Sequence, residues 1–104
     1  MQFGRWYPLA DAGDHAPLGE GVLQLRVATG LVVYPRGKSA MVLYAHAPDL
    51  RATARALAAL HPGDLLCRHL IEVEAGVDLT AFCAKLRSDF ERRFGARLLY
   101  EAGQ

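Results

Sequence analysis

Three features of the chain predict an α+β domain, a small, mainly antiparallel sheet of three to four strands with two helices in the order β-β-β-α-β-α. Residues 22–28 alternate apolar and polar side chains with the period of two that marks a half-buried strand. Two later segments, 50–60 and 79–94, repeat apolar residues at helical spacing. Gly, Pro and polar clusters separate the segments from one another. Short connections between strands favour antiparallel pairing, and both helices are expected on one face of the sheet.

The elements follow in chain order. Residues 1–18 are rich in Pro, Gly, Asp and His and lack periodicity, so they read as an irregular lead-in docked by Trp6, Tyr7 and Leu9. In the first strand, Leu23, Leu25 and Val27 point one way and Val22, Gln24 and Arg26 the other. Thr29-Gly30 turns the chain, and Leu31–Tyr34 is a short β-branched strand. Pro35-Arg36-Gly37-Lys38-Ser39 is a polar loop, and Ala40–Ala45 is the next strand. Pro48 and Asp49 suit a helix start, one by its missing N–H and the other by its charge. Leu50, Ala54, Leu57 and Ala58 give that helix its apolar face until His61-Pro62-Gly63-Asp64 ends it. Leu65–Val73 is a further strand, with Leu65, Cys67, His69, Ile71 and Val73 on one face. Asp78 caps a helix from Leu79 to Phe94 whose buried stripe is Leu79, Phe82, Cys83, Leu86, Phe90 and Phe94. Gly95 suits a left-handed C-terminal cap, and Arg97–Tyr100 is expected to form a short extended tail. Residues 19–101 then make up a single domain.

Composition narrows the function classes. With 52% hydrophobic and 22% charged residues over 104 positions, the chain is too apolar for disorder. No apolar run approaches the roughly 20 residues that span a bilayer, so no membrane is expected as a partner. The opening residues, Met1 to Trp6, lack the pattern of a signal peptide. Net charge is +1, too little for a global field that draws nucleic acid. Cys67 and Cys83 form no Cys-x-x-Cys pair, and a cytoplasmic protein with two reduced, packed thiols is expected.

Local motifs for chemistry are weak. His15, His46, His61 and His69 are scattered and give no metal-ligand spacing, so no metal and no cofactor are expected. Gly37-Lys38-Ser39 matches the end of a phosphate-binding loop, but Val32 stands where its first glycine belongs and a strand follows instead of a helix. Neither Ser39 nor Ser88 sits in a nucleophile elbow. Cys67 and His69 share an apolar strand face, which favours packing over a thiolate pair. Arg87, Arg92, Arg93 and Arg97, interleaved with Asp89 and Glu91, read as a solvated helix face with intrahelical pairs.

The order of strands and helices, with its landmark residues, resembles the GIY-YIG nuclease superfamily over about residues 19–101. Gly21-Val22-Leu23 opens the first strand as that family's Gly-Ile/Val-Tyr does. Val42-Leu43-Tyr44-Ala45-His46 runs into a helix as the Tyr-Ile-Gly strand does, and Cys83-Ala84-Lys85-Leu86 with Phe90 matches its Glu-x-x-Leu helix. The resemblance implies a water-assisting tyrosine, a phosphate-orienting tyrosine, a helix arginine and a metal-holding glutamate. Here those positions carry Leu23, Tyr44, Thr53 (with Arg51 and Arg55 as displaced substitutes) and Cys83, and the family's glycine position carries His46. Leucine cannot relay a proton, and a thiol is a poor magnesium ligand.

The expectation is a catalytically inactive GIY-YIG-like binding or interaction module. Its candidate site is Tyr44, His46, Arg51 and Arg55, joined by Arg36 and Lys38 as binding residues. At least one of Arg51 and Arg55 should lie on the sheet face of the Tyr44 hydroxyl, and Cys83 should be buried. Partners are then a protein, or nucleic acid bound weakly. One alternative is a divergent metal-dependent nuclease using Tyr44, Arg51 or Arg55, and Glu72 or Glu74. Another is a homodimeric scaffold pairing through its sheet edge.

Overall fold

The computed structural model describes residues 1–102, without the side chain of Ala102. Strands β1 (Gln2–Phe3), β2 (Tyr7–Pro8), β3 (Gly21–Val27), β6 (Met41–Ala47) and β7 (Leu65–Glu72) form the main sheet. It is antiparallel, with β6 at one edge, then β3, then β7, and with β1 and β2 both on the far side of β7. Strands β4 (Val32–Tyr34) and β5 (Gly37–Ser39) form a separate hairpin. The helices are α1 (Ala12–His15), α2 (Leu50–Leu60), α3 (Leu79–Phe94) and α4 (Leu99–Ala102). The α+β class is as the sequence predicts, but among the described residues the main sheet has five strands instead of three to four, and the short helices α1 and α4 join the expected pair.

The local signals hold. The Asp49 carboxylate accepts from the Arg51 N–H at 3.1 Å, and that of Asp78 from the Ala81 N–H at 3.2 Å, each closing a helix start. Gly95 ends α3 with φ of 78°, a left-handed conformation that favours glycine. Both cysteines are free and buried.

Four expectations are corrected. The helices do not share a face. Leu50, Ala54 and Leu57 of α2 pack with Leu23, Leu25, Leu43 and Cys67, whereas Leu79, Cys83 and Phe90 of α3 pack with Val22, Tyr44 and Leu70. The sheet is therefore sandwiched, because β3 and β7 carry apolar residues on both sides. The lead-in is ordered, contributing β1, β2, a 3₁₀ turn at Leu9–Asp11 and α1; Leu9 and Ala12 are each 1% exposed beneath α2. The short β-branched strand stays out of the main sheet and pairs with the expected loop, and the hairpin docks through Arg36, whose N–H donates to the Phe94 carbonyl at 2.9 Å. The tail is a helical turn. Leu98 is fully buried before it, and the Glu101 carboxylate reaches back to the Leu98 N–H, half of a capping box.

Candidate functional site

Alternation along β6 decides which candidates can meet. Leu43, Ala45 and Ala47 face α2, so Tyr44 points to the other side. A register shift at Met41–Leu43 sends both Val42 and Leu43 toward α2 without disturbing that phase. The Tyr44 ring is buried, edge-on to Phe90 at 6.0 Å, and burial pushes its hydroxyl up to about 12.

The two arginines of α2 lie elsewhere. Arg51 Nε donates to the Ala16 carbonyl at 2.8 Å. The Arg55 guanidinium lies over Gly13, where an added Cβ would stand 3.1 Å from it. Both hold down the lead-in on the face opposite Tyr44, which corrects the expected Tyr44–Arg51–Arg55 cleft. The physical reason is that the apolar stripe of α2 packs on Leu23, Leu25 and Leu43, and its polar flank then turns to α1.

The remaining candidates are dispersed. His46 pairs through Nε2 with Glu20 at 2.6 Å. Arg36 donates from Nη2 to the Arg92 carbonyl at 2.6 Å, at the far end of α3. Lys38 stands exposed on the hairpin. Glu74 lies 3.7 Å from the N-terminal ammonium, and Glu72 is exposed at the end of β7. Leu23 is 1% exposed on the α2 face, and Cys83 is fully buried on the α3 face, where burial pushes its thiol up and the His46 N–H donates to it. Among the described residues no three His, Cys, Asp or Glu side chains gather as a metal-binding group.

A different site does form. A cleft of about 570 Å³ lies along the outer edge of β6, walled by Thr53 and Leu57 of α2 on one side and Ala84, Arg87 and Ser88 of α3 on the other. Tyr44 and Thr53 both line it. Across its floor the outward main-chain groups of Tyr44 meet side chains. Its N–H donates to Glu101 Oε1 at 3.4 Å, a long bond, and its carbonyl accepts from Arg87 Nε at 3.1 Å. Arg87 Nε and Glu101 Oε1 are 2.7 Å apart. Burial raises the Glu101 pKa, outweighing the downward pull of Arg87 and of the backbone N–H donors.

Sequence reasoning placed Arg87 on a solvated helix face with intrahelical pairs, whereas it pairs with Glu101 and the Tyr44 carbonyl, and it missed Glu101. Arg87 follows Cys83 by four residues, so it borders the buried stripe of α3, and a charge in that position is the signal. Glu101 lies one residue past the Arg97–Tyr100 segment read as extended, with no local pattern to mark it.

A second polar cluster lies under α2. The Tyr7 hydroxyl is 3.0 Å from His69 Nδ1, Cys67 Sγ donates to it at 3.5 Å, and the His15 ring stacks on Tyr7 at 4.6 Å. Burial pushes the Cys67 thiol up to about 11, raises the Tyr7 pKa and lowers that of His69, so these three groups are held neutral. Cys67 is fully buried, and the cluster is a satisfied core, as the apolar strand face predicts.

Set against family models, curated proteins and solved structures, the chain matches none. Among the described residues no helix is long and apolar enough to cross a membrane.

Proposed function

We propose that this chain is a non-catalytic binding module, a GIY-YIG-like scaffold without that family's chemistry, working in the cytoplasm, where its two buried thiols stay reduced. The observation that carries this reading is the separation of the candidate catalytic groups. Tyr44 lies under α3, while the guanidinium groups of Arg51 and Arg55 hold the lead-in on the other face. General acid–base and metal-assisted hydrolysis both need their groups within hydrogen-bond reach of one reacting atom. A cleft with mixed polar and apolar walls suits recognition instead. Homodimerisation by direct β6 edge pairing is disfavoured, since side chains already hold the outward groups of Tyr44.

The test is incubation of the pure protein with single- and double-stranded DNA and RNA, with and without Mg²⁺ or Mn²⁺. No cleavage is expected, and binding should be at most micromolar and lost near physiological salt, as about three or four phosphate contacts imply. Metal-dependent cleavage that disappears in Tyr44→Phe would overturn the reading.

A further inference from the structure

An edge strand leaves main-chain donors and acceptors facing outward, where an added strand can pair with them. Tyr44 is such a residue on β6. Its N–H meets a carboxylate and its carbonyl meets a guanidinium, from Glu101 and Arg87. The carboxylate is well seated: Glu101 is 13% exposed and also accepts from Arg87 Nε and the Leu98 N–H. The structure thus contains a built carboxylate position, filled by the chain's own side chain.

The surroundings extend beyond that one group. Every contact of Arg87 with Tyr44 and Glu101 uses Nε, and its side chain is 44% exposed. Among the described residues its terminal nitrogens have no partner and remain as donors beside the cleft. Arg97, Ser88 and Thr53 add further polar groups to the lining, Glu91 adds one further carboxylate against the two arginines, and Leu43 and Leu57 add apolar groups. The space of about 570 Å³ exceeds what one carboxylate fills and follows β6 from Leu43 to Ala45. Glu101 is also held on a short lever. Helix α4 is four residues long, anchored by buried Leu98 before it and by the Tyr100 ring stacked on His61 at 4.2 Å. Swinging out that one turn would free the position while leaving Leu98 in the core.

We propose that the outer edge of β6 is a docking groove for an extended peptide carrying an acidic side chain, and that Glu101 occupies the acidic position in cis until such a peptide displaces it. This rests on the binding-module reading. The peptide is favoured over a free acid because the groove runs on along β6 past the carboxylate position, where the apolar side chains of Leu43 and Leu57 and the polar Thr53 and Ser88 line space that one carboxylate leaves empty.

The test uses an acetylated, amidated heptapeptide of alternating valine and threonine with a central glutamate, its glutamine counterpart, and acetylated glutamate amide. Binding is measured calorimetrically to the wild type, to Glu101→Ala, and to Asp89→Ala, which makes the same charge change outside the cleft. Glu101→Ala should bind the glutamate peptide about tenfold more tightly than the wild type does, and about tenfold more tightly than it binds the glutamine peptide. Asp89→Ala should behave as wild type, and adding Arg87→Ala to Glu101→Ala should abolish the glutamate preference. Should Glu101→Ala fail to fold, Glu101→Gln takes its place with the same expected order. Equal affinity for the two peptides, no binding by the folded variant, the same gain in Asp89→Ala, or acetylated glutamate amide binding as tightly as the peptide would each overturn the proposal. Nucleic-acid cleavage by the wild type would overturn the binding-module reading separately, leaving any glutamate preference in place.

Discussion

The two edges of the main sheet face the same hazard and meet it differently. Beyond β7 the edge is closed by main chain. Strands β1 and β2 are two residues each, Pro8 lacks an N–H, and Tyr7 ties β2 into the core through His69 and Cys67. Short strands and proline give an incoming strand little to pair with. Along β6, seven residues long, the exposed groups of Tyr44 are met by side chains of α3 and α4. A main-chain closure backed by the core opens only with the fold. A closure made of a partly exposed ion pair and a four-residue helix opens locally, at a fraction of the global stability. The groove proposed for docking lies at the second edge, the one that opens locally.

Breaking the first edge should have the largest effect. Tyr7 is 8% exposed, and Tyr7→Ala should cost about 3–5 kcal/mol in urea denaturation, as loss of a buried aromatic does. A cost below about 1 kcal/mol would mean that packing does not secure this edge. Behind the second edge, Cys83→Glu should destabilise by about 1–3 kcal/mol or more, because the thiol position is fully buried and the new carboxylate loses its hydration. Native Cys83 should also react slowly with a thiol reagent. Rapid labelling, or a stable Cys83→Glu protein that binds Mg²⁺, would reopen the nuclease reading.

Smaller effects sharpen the comparison. Arg51→Ala removes a bond to the lead-in and should cost about 1 kcal/mol. Combined with Tyr44→Phe, its effect should be additive within about 0.5 kcal/mol, because the two side chains lie on opposite faces. Strong coupling would contradict that placement. Glu101→Gln should change stability least at neutral pH, by under about 1 kcal/mol, since the ion pair it breaks is partly exposed. Its signature is the pH dependence. The folded state raises the Glu101 pKa above 4.5, so it binds that proton more tightly than the unfolded chain does. Relative to Glu101→Gln, the wild type should therefore lose stability as pH rises from below 4.5 through the raised value, and regain it on acidification. The opposite slope in denaturant titrations would show that attraction to Arg87 outweighs burial.

What the sequence discloses here is local. The strand at Val22–Val27, the caps at Asp49, Asp78 and Gly95, and the stripe that buries Cys83 all arise within a turn or a strand, and all are present, although the strand read as half-buried is buried on both faces from Val22 to Leu25. What it hides depends on distant partners. The helices take opposite faces because Val22, Tyr44 and Leu70 form a second apolar surface only once β3, β6 and β7 are aligned. Two-residue strands are too short to show a period, so β1 and β2 are invisible without β7 beside them. Tyr44 and Arg51 look adjacent along the chain, yet the pleat and the path of α2 part them. Arg87 and Glu101 are 14 residues apart and meet only at the Tyr44 backbone.

Side chains, not main chain, close the β6 edge at Tyr44. Native-state hydrogen exchange at the Tyr44 amide tests it most directly. In Glu101→Ala the Tyr44 N–H loses its acceptor and should exchange about tenfold faster than in the wild type, the upper end of a single hydrogen bond's net worth, while the Leu25 amide of the central strand keeps its protection. Unchanged protection at Tyr44, or an equal loss at Leu25, would contradict the account.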